Sequence, residues 1–151
     1  MGDYMRCFEK ISSKLDDEKI ILPKRSTSGS AGYDFFSPDD YEIPAKGDLL
    51  IKTGIKAKMM DDECLFIYPR SSIGIKHDIM LKNTVGVVDS DYYNNKDNEG
   101  EIMVSLRNLS DKNFLLKKGE RFCQGIFQKI LLTYDDASTQ EREGGIGSTG
   151  N

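Results

Sequence analysis

The residues able to do chemistry in this 151-residue chain are carboxylates, arginines, hydroxyls and glycines, gathered at a few places. YPRSSIG (68–74) follows the apolar run Leu65-Phe66-Ile67, which puts Arg70, Ser71 and Ser72 where a strand ends and a turn or helix begins. A guanidinium fork beside hydroxyls and newly exposed N–H groups suits phosphate oxygens, and the same three residues also serve as plain turn chemistry. In NTVGVVDSDYY (83–93), Asp89 and Asp91 stand two apart, so a continuing strand would put them on one face with Tyr92 on the other. An aspartate with an ordinary pKa near 3.9 is ionised at neutral pH and can act as a general base without tuning. The competing reading is a solvated loop, above all for Asp91. In SAGYDFFS (30–37), Asp34 follows a glycine turn among aromatic neighbours. It either holds that turn or orients an arginine or metal-bound waters. The end of the chain, REGGIGSTG (142–150), joins Arg142, Ser148 and Thr149 to glycines that let backbone approach a phosphate closely.

What is missing narrows the chemistry. There is one histidine, His77, so a histidine-bearing zinc cluster, a two-histidine relay and an HExxH site are excluded. No GxSxG elbow, GxxxxGK[ST] loop or strand-linked GxGxxG is present. Metal-assisted phosphate chemistry is what remains. The formal charge of −4 argues against holding long nucleic acid on a broad basic surface, so any attraction for a phosphate-rich ligand must be local. Three widely spaced cysteines, Cys7, Cys64 and Cys123, form no CxxC pair and imply reduced thiols in a cytoplasmic setting. The charged N-terminal stretch contains no apolar run fit for a signal sequence or membrane span, and lacks the hydroxyl at position 6 of a myristoylation pattern. A soluble, intracellular protein is expected.

The elements that must position these residues read as strands. With 38% hydrophobic and 30% charged residues the chain is a globular domain, long enough to bury about 70% of its unfolded surface in one core. Apolar bursts alternate with turn formers such as STSGSAG, SPDD, PAKGD and NNKDNEG. This rhythm predicts strands at 5–11, 19–22, 41–43, 48–58, 64–68, 79–81, 86–88, 101–106, 113–116 and 122–132. Helix is expected only at 12–19 and in a turn near 71–76. Short antiparallel strands with regular turns point to a sandwich, barrel or jelly roll. Residues 86–88 and 101–106 read as two arms of a hairpin around a polar loop. The polar run 133–143 reads as a linker to the glycine-rich end.

Taken in order, AGYDFF, PRSS, NTVGVVDSDYY, GERFCQ and GGIGSTG resemble the five motifs of the trimeric deoxyuridine triphosphate nucleotidohydrolases, the dUTPases, across residues 31–150. Each motif alone is weak, and five in sequence are a strong signal. The resemblance implies an all-β, jelly-roll-like distorted β-barrel subunit over 1–133, with a flexible C-terminal arm over 134–151. It implies a homotrimer with active sites shared between subunits, closed by a neighbour's arm, and Mg²⁺-assisted hydrolysis of dUTP to dUMP and pyrophosphate. It also implies roles for particular residues. Asn83 with backbone around Val87, Val88 and Met103 would read uracil, and Tyr92 would pack beneath deoxyribose. Asp89 would activate the water attacking the α-phosphorus, with Gln124 near that water. Arg70, Ser71 and Ser72 would hold phosphates, Asp34 would act through Arg70 or metal waters, and Arg142, Ile146, Gly147, Ser148 and Thr149 would close the site. Mg²⁺ would be held mainly by substrate phosphates and water, with no direct protein ligand. The same fold also serves dCTP deaminases, and a nucleotide-sensing protein without turnover could keep the same pocket. Three features depart from the usual pattern: the tip YNNKDNE (93–99) is longer than the single residue usual there, Ile146 replaces an aromatic ring, and Arg142 is one residue nearer the double glycine. His77 is then the candidate flat lid for the base.

Overall fold

In the computed structural model, residues 6–147 and Thr149 are described, and they form short antiparallel strands with a single short α-helix among them. The strands are β1 (Cys7–Lys10), β2 (Tyr33–Phe36), β3 (Tyr41–Ile43), β4 (Asp48–Lys52), β5 (Ile55–Lys58), β6 (Glu63–Pro69), β7 (Ile79–Leu81), β8 (Gly86–Asp89), β9 (Met103–Asn108), β10 (Phe114–Leu116) and β11 (Arg121–Lys129). The helix α1 spans Ser71–His77, and 3-10 turns cover Ser12–Lys14 and Ser90–Tyr92. Four small sheets result, in the orders β1-β5, β10-β3, β2-β11-β6-β8 and β4-β9-β7. They wrap one core containing Phe35, Phe122, Ile43, Ile51, Leu65 and Leu106. The architecture is a distorted, jelly-roll-like β-barrel.

Strand β9 shows why the sequence folds this way: Val104, Leu106 and Asn108 are buried, while Met103, Ser105 and Arg107 are half-buried on the other face, the two-residue period of a strand. Asn108 is fully buried yet satisfied. Its amide donates to the carbonyls of Ile43 (3.1 Å) and Lys112 (2.7 Å), and its Oδ1 accepts from Ser110 N (2.9 Å) and Oγ (2.7 Å). The side chain thereby pins the turn after β9 to β3.

Several expectations need correction. The single strand expected over 48–58 is two, because Gly54 turns the chain at φ +68 and a Cβ there would overlap the Ile20 side chain. That same contact buries Ile20, so the apolar stretch 19–22 packs over a turn and forms no strand. The helix expected at 12–19 shrinks to the 3-10 turn. Residues 33–36, which follow the glycine turn and are not among the expected strands, form β2, paired with β11 through the register Gln124↔Asp34. The expected hairpin is not one: β8 pairs with β6, whereas β9 pairs with β4 and β7. The two arms splay into different sheets, and the space between them is a cavity. After β11 the described residues to 147 contain no helix or strand.

Candidate active site

The cavity between β8 and β9 has a volume of about 260 Å³. Its walls are Asn83, the β8 residues Gly86–Asp89, Tyr92, and Ile102–Val104 at the start of β9, with Ile67 and Leu81 behind. Arg142, Ile146, Gly147 and Thr149 of the same chain complete the lining. As the edge strand of its sheet, β8 leaves one row of backbone N–H and C=O groups without a strand partner among the described residues, available to the edge of a planar ligand. Tyr92 is buried at one end, its phenol donating to the carbonyl of Glu101 (2.8 Å) and accepting from Asn98 Nδ2 (2.7 Å). Burial pushes its pKa up, so it remains a neutral, fixed platform.

Strand β8 ends at Asp89, and the 3-10 turn that follows ends the face-sharing expected of a continuing strand. The two carboxylates nevertheless converge. Arg142 Nη2 lies 2.6 Å from Asp89 Oδ2, and its Nε lies 2.7 Å from Asp91 Oδ1. The guanidinium carbon also lies 5.6 Å from the centre of the Tyr92 ring, a cation–π arrangement. Beneath Asp89 in the β6 register is Cys64, whose thiol is pushed up by burial and then by the Asp89 charge, and is therefore inert at neutral pH.

A second group lies elsewhere. Arg70 precedes α1 in an extended conformation, and Ser71 and Ser72 open the helix. Buried Asp34 receives Arg70 Nε at 3.2 Å, Ser26 Oγ at 2.7 Å and Arg121 Nη1 at 3.4 Å. Gln124, on the central strand β11, donates weakly to the carbonyl of Pro69 at 3.4 Å. Together with Gly32, all of these residues except Arg121 and Pro69 line an open cleft. Sequence reading passed over Arg121 and Ser26. The signal was present in GERFCQ, where Arg121 precedes Gln124 on one strand, but their meeting with Asp34 depends on the β2–β11 register.

The two groups are far apart within the chain. On β6, Cys64 faces Asp89, while Arg70 follows the far end of the strand at Pro69. Six residues of strand separate them, or about 20 Å at ~3.3 Å per residue. His77 is absent from the wall of the cavity between β8 and β9; it packs on Phe114 with ring centroids 4.9 Å apart and lines a groove with Arg70, Ser72 and Arg121. The arm residues, expected over a neighbour, here line the cavity of their own chain. Ser148 lies outside the described residues. Among the described residues, no group of three or more His, Cys, Asp or Glu is placed to hold a metal ion, and no helix is long and apolar enough to cross a membrane.

A slot fit for a flat ring, with carboxylates at its mouth and an arginine–hydroxyl cluster on the same subunit, is the equipment of a nucleotide hydrolase. A family model described as dUTPase matches residues 18–150. A deoxyuridine 5'-triphosphate nucleotidohydrolase of Lactococcus lactis is 44% identical over 149 residues, spanning 97% of this chain and 98% of that protein. One of the same name from Tolumonas auensis is 40% identical over 154 residues, spanning 94% and 98%. The crystal structure of dUTPase from Streptococcus mutans superposes with a TM-score of 0.76 at 44% identity, covering 83% of this chain and 97% of that one. A dUTPase from phage phi11 of S. aureus shares the fold, with a TM-score of 0.71 at 15% identity, covering 89% of this chain and 96% of that one. The chain belongs to the dUTPase family, and with it to the hydrolases of nucleotide metabolism.

Proposed function

We propose that this enzyme hydrolyses dUTP to dUMP and pyrophosphate, lowering dUTP and supplying dUMP for thymidylate synthesis. The observation that carries the reading is the cavity between the splayed β8 and β9, with Asp89 at its mouth. Uracil enters the cavity against the free edge of β8 and the Asn83 side chain. A base with the wrong edge leaves buried donors and acceptors unpaired, which discriminates strongly. Tyr92, held at its hydroxyl by Glu101 and Asn98, faces the sugar and leaves no room for a 2′-hydroxyl. Asp89 orients a water and takes its proton as the oxygen bonds to the α-phosphorus. The bond from that phosphorus to the bridging oxygen breaks, and pyrophosphate leaves with the bonding pair.

The oxygen donors present are hard and suit Mg²⁺, and among the described residues they form no cage, so the ion would arrive on the triphosphate with several of its waters. Once bound, it offsets phosphate charge. Asp34 acts through Arg70, whose fork, with Ser71, Ser72 and Gln124, holds phosphate oxygens.

Within one chain these phosphate-holding residues are about 20 Å from Asp89 along β6, whereas a general base must lie within a water's reach of the bond it serves. Two copies of the chain solve this, one offering the base pocket and the other the arginine cluster. The exposed apolar run Ile130, Leu131, Leu132 and Tyr134 after β11 supports association of copies, and we propose a homotrimer with shared sites, closed by the segment 134–151. The test is pyrophosphate release with Mg²⁺ from dUTP, dCTP, dTTP and UTP. Only dUTP should react, and Asp89→Asn should slow turnover about 10²- to 10⁴-fold. Ammonia release from dCTP would mark a deaminase, dUTP binding without turnover would mark a sensor, and full activity in Asp89→Asn would refute the mechanism.

A further inference from the structure

The tip 93–99 has no task in the reaction derived above, and its construction is that of a rigid support. Tyr93 Oη donates to Glu9 Oε2 (2.7 Å), while Lys56 Nζ donates to Asn94 Oδ1 (2.7 Å) and Glu99 Oε1 (2.7 Å). Glu99 also accepts from the backbone N–H and hydroxyl of Ser12. Both ends of the tip are thus fastened to the body of the barrel. Inside it, buried Asn95 donates to the carbonyl of Tyr92 (2.8 Å) and to Asn98 Oδ1 (2.7 Å), and accepts from the N–H groups of Asp97 (3.0 Å) and Asn98 (3.2 Å). Asn98 in turn holds the Tyr92 hydroxyl.

This scaffold presents the Asp97 carboxylate to the C-terminal segment. The N–H of Gly145 donates to Asp97 Oδ2 at 2.8 Å, and Gly144 and Gly145 are buried there. A Cβ at position 145 would meet the Asn98 amide at 3.4 Å, an ordinary van der Waals contact, so the seating depends on the Gly145 N–H rather than on the missing side chain. The next residue is Ile146, on the cavity wall. We propose that the tip is a latch for the C-terminal segment, with Asp97 a positioning residue that fixes Gly145 and so sets Ile146 and Gly147 over the base pocket. This rests on the dUTP reading of that pocket. The latch grips backbone rather than a side chain, so it specifies where along the segment closure occurs. Arg142 Nη1 also lies 3.4 Å from the Gly145 carbonyl, so Asp97 and Arg142 hold the two backbone polar groups of one glycine. The same contact serves whichever subunit supplies the segment.

Arg142 is the one tryptic site beyond Lys129, which gives a readout independent of turnover. In Asp97→Ala, cleavage of the full-length protein at Arg142 should quicken about tenfold, the worth of one charge-assisted hydrogen bond. The kcat for dUTP should fall by a similar factor with KM within about twofold, since the latch acts on the closed complex. Asp97→Asn keeps an acceptor oxygen and should restore most of both. Gly145→Pro removes the donor without touching the tip and should reproduce Asp97→Ala, whereas Gly145→Ala keeps the N–H and should not. If Asp97→Ala lowers the melting temperature, the Gly145 pair decides. Wild-type protection and kcat in both Asp97→Ala and Gly145→Pro would overturn the proposal. Failure of the wild-type protein to release pyrophosphate from dUTP would sink the function instead, and the proteolysis would still judge the latch.

Discussion

Neither Asp89→Asn nor Arg70→Ala should work alone, and the two should rescue each other when their chains are mixed. Asp89 faces Cys64 on β6, and Arg70 follows the strand's other end, so about 20 Å of strand separates them in one chain. A site that uses both must draw them from different copies. In a randomly mixed trimer from equal amounts of the two dead chains, half the pockets carry an intact Asp89 and half the neighbouring clusters an intact Arg70. About a quarter of the sites are then whole, as symmetry makes every interface equivalent. Co-expression of differently tagged chains, two-step purification of mixed assemblies and a pyrophosphate assay with dUTP would measure this. A trimer that contains both chains holds one whole site in three, so the purified mixed assemblies should show about a third of wild-type activity, against less than about 1% for either variant alone, the size of a lost base or phosphate clamp. No recovery in verified mixed assemblies would refute the shared site and require the chain to bring both groups together by itself.

Other perturbations test particular contacts. Asn108→Ala leaves the buried Ile43 carbonyl without its side-chain donor and removes the bonds to Lys112 and Ser110 in the part-buried turn, and should cost about 2 kcal/mol in urea unfolding, with the slope unchanged. Glu99 is held down to about 2, first by its hydrogen bond to Lys56 and then by those to Ser12. A depressed carboxylate stabilises the fold above its ordinary value and loses that contribution as pH falls through the folded one, so the tip should loosen between about pH 4.5 and 2. A carboxyl-carbon NMR titration should give that low midpoint, and Lys56→Met should raise it. Burial raises Cys123 well above its ordinary value and raises Cys64 too, so a thiol reagent at pH 8 should leave both unmodified until the protein unfolds. Ile146→Phe adds a ring over the cavity and should lower KM for dUTP about threefold, a modest stacking gain at an exposed position.

Strands with a clean alternation or a bounded apolar run were legible: β3 and β7 fall where the pattern puts them, and β6, β10 and β11 within a few residues of it. The failures share a cause, which is that burial and pairing are different things. Ile20 is buried by Gly54 without any strand partner, and β2 pairs through only four residues, directly after a glycine- and serine-rich turn. Residues 86–106 carry the pattern of a hairpin because two apolar arms flank a polar tip. Nothing in that local pattern reveals that each arm finds its partners in a different sheet. The chemical residues themselves were legible by type, and Asn83, Val87, Val88, Asp89 and Tyr92 do share one cavity with Met103. What spacing along a single chain could not convey was the separation of Asp89 from Arg70, because that distance is set by the antiparallel course of β6. The role of the tip was equally hidden, since Asp97 acquires its partner only when the far end of the chain comes back to it.

An acidic chain that binds a triphosphate must keep its few positive groups ready, and this one does so by tying them to carboxylates. Asp34 fixes both Arg70 and Arg121, and Asp89 with Asp91 fixes Arg142. An unpaired arginine would lose the freedom of a long flexible side chain on meeting phosphate, and that entropy would subtract from affinity. Here the loss is already taken in folding. A guanidinium has five donors, so contact through Nε, as at Arg70, does not exhaust its capacity for phosphate oxygens. The arrangement differs at Arg142, which is engaged through Nε and a terminal nitrogen at once. Its partners include the carboxylate proposed as the base, so its transfer from Asp89 to phosphate would both bind the substrate and release that base. Coupling those two events in one side chain would tie activation of water to the presence of the phosphorus it attacks.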